Sequence, residues 1–83
     1  MKVSVIVPVY NEVRTIDVIL EKVRSSPVSK EIIVIDGHSE DGTVEKLKGQ
    51  EKFEDTRVVY QKSRKGRGNA LKVGMKKARG DVI

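Results

Sequence analysis

The chain has 83 residues, 17 Lys and Arg against 12 Asp and Glu, a formal net charge of +5 and no cysteine. That length suits one small domain with a thin core, because so short a chain buries only a little over ~60% of its unfolded surface. The missing cysteines exclude a disulfide framework and a thiolate metal site, and the positive balance invites anionic partners: nucleotide phosphates, nucleic acid or an acidic membrane surface.

The first element is an apolar run, VSVIVPV, in which Val3, Val5 and Val7 alternate with Ser4 and Ile6. Both faces are nearly apolar, as in a strand covered on both sides of a parallel sheet. Proline cannot donate to a ladder, so Pro8 is expected to end the strand. The run has no cationic lead-in and no small-residue cleavage site, so it does not read as a signal peptide. No apolar stretch approaches the ~20 residues of a membrane span. With no cysteine, the chain fits a reducing compartment, and a cytoplasmic location is expected.

From Glu12 to Arg24 the period changes. Val13, Ile16, Leu20 and Val23 recur three and four apart, with Ile19 beside them, which predicts a helix with one buried stripe. Ser25-Ser26-Pro27 closes it, because the residue before a proline is pushed out of the helical region. Ile32 to Ile35 form a second apolar strand stopped by Asp36. GHSEDGT reads as a loop, with Asp41 as N-cap of a short helix through Val44 and Leu47. RVVYQ is a third, weaker strand. KSRKGRG is a basic glycine loop. NALKVGMKKA is a helix expected to bury Leu71, Gly74, Met75 and Ala78 on one face and to present Lys72, Lys76 and Arg79 on the other. GDVI opens a fourth strand.

The order β-α-β-α-β-α-β implies an α/β fold: a parallel sheet with helices on both faces. In such sheets ligands bind where the carboxyl ends of the strands meet. Three polar groups fall there: Tyr10-Asn11-Glu12, Asp36, and the stretch from Gln61 to Arg67. Their convergence predicts a site with carboxylates on one side and cations on the other. A carboxylate can accept from a base imide or ribose hydroxyls, and arginine can meet phosphate in bidentate fashion. Gly66 and Gly68 let backbone N–H groups approach an anion at the start of the next helix. Each feature also has a plainer account. Glu12 can be a first-turn acid favoured by the helix dipole, Asp36 a turn residue, and the basic loop a solvated surface. GRGNAL is not a dinucleotide fingerprint, since it lacks the third glycine and follows the wrong strand. His38 stands alone and is assigned no metal or base role.

VSVIVPVYNE, EIIVIDGHSEDGT and KGRGNALKVGMKKARGDVI together resemble the N-terminal half of the family 2 glycosyltransferases, inverting enzymes of GT-A (Rossmann-like) fold. The resemblance includes the branch that transfers sugars to dolichyl or other polyprenyl phosphates. It implies nucleotide-binding roles for Pro8, Tyr10, Glu12, Asp36 and Arg67. One departure is that Asp36 is followed by Gly37 and His38, where the family often has a second acid and then glycine. In the family an Asp-x-Asp motif follows the fourth strand, and a general base comes later. Neither motif stands in these 83 residues, and Asp81 is at the wrong end of its strand to substitute.

The resemblance therefore implies that residues 1–83 are an incomplete nucleotide-sugar-binding portion, cut in the fourth strand. It implies no catalytic and no metal-binding residue here. A divalent metal, Mn or Mg, is expected in the full-length parent and not on this chain, which alone should be inactive. The expected partner is a nucleotide-diphosphate sugar of UDP or GDP type, with a lipid phosphate as a candidate acceptor and no nucleic acid. The parent would act in the cytoplasm or at the cytoplasmic face of a membrane. A non-enzymatic nucleotide- or nucleic-acid-binding module is the alternative, weakened by only three aromatic residues. Strand order three, two, one, four would leave Val82 and Ile83 at a poorly protected edge, through which the fragment is expected to self-associate.

Overall fold

The computed structural model describes residues 3–82, the side chains of 81 and 82 excepted. Its elements run β1 (Val3–Val9), α1 (Ile16–Ser25), β2 (Lys30–Asp36), α2 (Thr43–Gln50), β3 (Thr56–Tyr60), α3 (Gly66–Lys77) and β4 (Asp81–Val82). The sheet is parallel with order β3-β2-β1-β4, so the expected architecture and strand order hold. β4 meets β1 through Val3↔Asp81 and Ser4↔Val82. The self-association expectation falls on the Val82 side chain and on Ile83, which lie outside the described residues.

Pro8 does not end β1. The strand continues to Val9, with Pro8 opposite Ile35 in register. Val3 N–H donates to Ser29 O (3.0 Å) and Val9 O accepts from Gly37 N–H (2.7 Å), so these odd-numbered residues address β2. Backbone groups alternate sides along a strand. The Pro8 nitrogen therefore points to the other side, where β4 pairs only with Val3 and Ser4, and no bond of the described ladder is lost.

β2 is the spine of the core. Glu31 through Asp36 are all buried, and Ile32, Ile33, Val34 and Ile35 are fully so. Its two faces pack on different helices. Ile32 and Val34 join Val9, Ile16, Leu20 and Leu47 beneath α1 and α2. Ile33 and Ile35 join Ala70 beneath α3, with Val59, Val73 and Ala78 at the margin. Helices on both faces are what make β2 apolar at every position.

Two helices begin or turn differently from expectation. Residues 12–15 form a turn rather than the start of α1: Thr15 N–H and Ile16 N–H both donate to Glu12 O (3.1 and 2.9 Å). The helix proper buries Ile16 and Leu20, as the stripe required, and leaves Ile19 exposed. Helix α3 begins three residues early, at Gly66, so Gly66-Arg67-Gly68 is its first turn and not a loop. Its buried face carries Ala70 and Gly74, while Leu71 and Met75 are 38% and 58% exposed. The helix is thus rotated by one position, about 100°, from the expected face. Contact distance explains it. A methyl on Gly74 would overlap Ile6 Cγ2, so the helix lies against β1 at a separation only small residues permit.

At the sheet edge away from the strand carboxyl ends, a buried carboxylate ties three elements together. Glu31 Oε2 accepts from Ser4 Oγ (2.6 Å) and from Arg79 N–H (2.6 Å), and Ser4 Oγ in turn accepts from Gly80 N–H (2.8 Å). The exit of α3 is thereby pinned to β1 and β2.

Candidate functional site

The loop after β1 is built by the loop after β2. Asn11 N–H donates to Ser39 Oγ (2.8 Å), and Glu40 N–H returns a bond to Asn11 Oδ1 (2.8 Å). Glu12 N–H donates to Thr43 Oγ1 (2.9 Å) and Val13 N–H to Asp41 Oδ2 (3.2 Å). Asn11 and His38 both take left-handed backbone, φ 50° and 73°. Asn tolerates that region more readily than most residues. Polar side chains of each loop thus satisfy the backbone donors of the other, and Tyr10 and Glu12 are held out at the rim.

Gly42, not the expected Asp41, is the N-cap of α2, and Asp41 instead ties the two loops together. Its Oδ1 accepts from Thr43 N–H (3.1 Å) at the head of α2, while Oδ2 takes the Val13 N–H across the gap. The Thr43 hydroxyl, then the Thr43 and Val13 N–H groups, hold its carboxyl below the usual carboxylate range.

The third wall comes from the β3–α3 connection. Gln61 N–H donates to Asp36 O (3.0 Å), and the Gln61 amide donates to Asn69 Oδ1 (2.8 Å), which ties the end of β3 to α3. Gly66 has φ 85°, a turn into α3 that favours glycine.

Between these walls lies a cleft of about 200 Å³, lined by Pro8, Val9, Tyr10, Glu12, Gly37, Arg64, Gly66, Arg67 and Ala70. Four of the five residues named from sequence, Pro8, Tyr10, Glu12 and Arg67, meet there. Asp36 does not line it. Its side chain is buried under the loop, with Oδ2 accepting from His38 and Ser39 N–H (both 3.1 Å) and Oδ1 from Ser39 Oγ (2.6 Å). In this geometry Asp36 shapes the turn that supports the site. Arg64 was not singled out from sequence, yet its guanidinium lies over the Tyr10 ring, 4.2 Å from the centroid. Two arginines flanking a glycine were the available signal. Asn11 was named among the polar residues at the end of β1, but the interloop partners Ser39 and Thr43 were not.

Chemically the cleft offers an aromatic face, a carboxylate at one rim, two guanidinium groups at the other, and the first-turn N–H groups of α3, which lack partners within their own helix. Such a helix start accepts an anion. Among the described residues no three His, Cys, Asp or Glu side chains converge. Glu12 is the one carboxylate on the cleft lining, so these residues do not by themselves fit a divalent metal.

The sequence profile of glycosyl transferase family 2 matches residues 4–83. The chain belongs to this family. A family relative, the dolichol-phosphate mannosyltransferase of Pyrococcus furiosus, is 34% identical over 85 residues, which is 100% of this chain and 24% of that enzyme. Two solved structures superpose closely. A mannosyltransferase from Pyrobaculum calidifontis, in complex with GDP-Man and Mn2+, gives a TM-score of 0.87 at 31% identity over 96% of this chain and 25% of its own. S. aureus TarS in complex with UDP-GlcNAc gives 0.89 at 28% identity over 100% and 25%. The chain therefore spans about a quarter of the length of the relatives it matches. The match places the cleft within the GT-A N-terminal portion of the family 2 fold. No helix among the described residues is long and apolar enough to cross a membrane.

Proposed function

We propose that residues 1–83 are the donor-nucleotide part of a glycosyltransferase, and that the cleft binds the nucleoside diphosphate of a UDP- or GDP-type sugar donor. The observation that carries this reading is the meeting of Tyr10, Glu12 and Arg67 in one cleft at the carboxyl ends of β1, β2 and β3. Tyr10 offers a face to the base. Glu12 can accept from a base imide or ribose hydroxyls. Arg67 and the α3 start oppose the diphosphate charge. Family membership supports the substrate class, since relatives of the same fold are seen with GDP-Man and with UDP-GlcNAc.

Asp36 serves this site by holding the turn on which Gly37 meets Tyr10. In the whole enzyme a divalent metal would neutralise charge on the departing diphosphate, on ligands the described residues do not supply. A polyprenyl phosphate is the acceptor suggested by the dolichol-phosphate mannosyltransferase relative.

Titration calorimetry with UDP and GDP tests the reading. The chain should bind one of them, and Arg67→Ala should lose about 1.5–3 kcal/mol, the worth of a charge-assisted hydrogen bond. Tyr10→Ala should weaken binding by a comparable amount through lost stacking. Unchanged affinity in both variants, or no binding by the wild-type chain, removes the site.

A further inference from the structure

Arg64 and Tyr10 face each other inside the cleft, and no ion pair of Arg64 is found among the described residues. The cation has settled on an aromatic face, an attraction that is weak where water competes. That face is also the one aromatic surface of the cleft, and the carboxylate on its lining, Glu12, takes a hydrogen bond from the Thr15 hydroxyl (2.9 Å).

We infer that Arg64 is a displaceable cover on the Tyr10 ring that makes the cleft select nucleoside diphosphates over bare nucleosides. Resting on the nucleotide reading above, the argument is one of competition. A base that stacks on Tyr10 must displace the guanidinium. A nucleoside then strands Arg64 in water, whereas a diphosphate offers it a charge-assisted bond that a ring cannot match. The same side chain therefore opposes one ligand and recruits the other. Arg67, in the first turn of α3, does not touch the ring and works on the phosphate alone.

The inference carries a change of sign that a purely attractive phosphate residue would not show. Arg64→Ala should bind uridine or guanosine about two- to fivefold more tightly, the equilibrium worth of an exposed cation–π contact. The same variant should bind UDP or GDP about tenfold or more weakly, from loss of a charge-assisted bond. Arg67→Ala should weaken the diphosphate and leave the nucleoside unchanged. Inorganic pyrophosphate, which has no base, should shift the Tyr10 ring resonances in the wild-type chain and not in Arg64→Ala. Arg64 is exposed, so both variants should fold, and Arg64→Gln repeats the measurement with a polar replacement. Wild-type binding of a diphosphate, with nucleoside affinity unchanged or weakened in Arg64→Ala, overturns this inference and leaves the nucleotide site standing. A pyrophosphate titration that leaves the Tyr10 ring unmoved overturns it as well. A wild-type chain that binds neither class of ligand overturns both readings.

Discussion

Gly74 carries the packing of α3 on the sheet, and Gly74→Ala tests that directly. Two effects oppose each other. Alanine is the better helix former by about 1 kcal/mol. Against this, the new methyl would overlap Ile6 Cγ2 and press on Cγ1 and Cδ1 of the same side chain. Ile6 is buried and β-branched, so Cγ2 moves only if χ1 changes or the strand shifts. Overpacking of this kind costs about 1–3 kcal/mol. The net expectation is destabilisation of about 1–2 kcal/mol, the difference of those two ranges weighted toward clash because the obstacle is not a flexible tip. For a domain this size each kcal/mol lowers Tm by about 4–8 °C. Urea unfolding followed by far-UV circular dichroism reads it, since the chain has no tryptophan. Ile6→Ala alone should cost about 2–5 kcal/mol, and the double variant should cost less than the sum by at least ~0.5 kcal/mol, because the methyl then enters the space Ile6 vacates. A more stable Gly74→Ala, or strict additivity with Ile6→Ala, refutes the close-contact account.

Two further outcomes follow from the hydrogen bonds. Ser4→Ala should cost about 1–3 kcal/mol, because it removes a donor to Glu31 and leaves the Gly80 N–H without its acceptor; an unchanged urea midpoint would show that water replaces the hydroxyl. The Asp41 carboxyl is held below its ordinary value, so its stabilisation of the paired loops is present above the unfolded-state value of about 3.9 and is lost as pH falls through the folded-state value. Amide exchange at Val13 and Thr43 should therefore quicken, relative to the core of β2, on acidification through that window, and Asp41→Asn should abolish that step; a Val13 amide indifferent to pH in the wild type contradicts the bond to Asp41.

What could be read from sequence, and what could not, divides along physical lines. β2 was legible because a strand covered on both faces must be apolar at successive positions, as Ile32 to Ile35 are. The α1 stripe was legible from its spacing, although its start was not: residues 12–15 have helical spacing, but the neighbouring loop takes the N–H groups of Glu12 and Val13 and fixes the chain there as a turn. Pro8 was misjudged as a terminator because the harm a proline does depends on which side its nitrogen faces. The face of α3 was half right: Gly74 and Ala78 pack as expected, but hydrophobicity also nominated Leu71 and Met75, whereas a helix lying this close to a strand selects for smallness and buries Ala70 instead. Tyr10, Glu12 and the stretch ending at Arg67 were nominated together because parallel topology brings strand ends to one rim, whereas Pro8 was named as a binding residue only through the resemblance to family 2 glycosyltransferases. Asp36 was nominated with them, yet its partners turned out to be two and three residues away.

That last difference bears on how the cleft works. Its two rims rest on separate supports. The acidic rim, with Tyr10 and Glu12, is fixed by side chains of the β2–α2 loop, and that loop is itself wound around the buried Asp36 carboxylate. The basic rim, with Arg67, is fixed by the entry of α3, and the position of α3 depends on its contact with Ile6 through Gly74 and on the Glu31 cluster at the far end of the sheet. A defect in the first support should misplace Tyr10 and Glu12 while leaving the helices on the sheet, since those bonds join loop to loop. A defect in the second should reach the Arg67 rim and global stability together, since the helix is part of the core. Asp36 thus belongs with Gly74 as a residue that sets geometry, one by hydrogen bonding and the other by having no side chain, and the charged groups exposed at the rim act on a frame that those two hold in place.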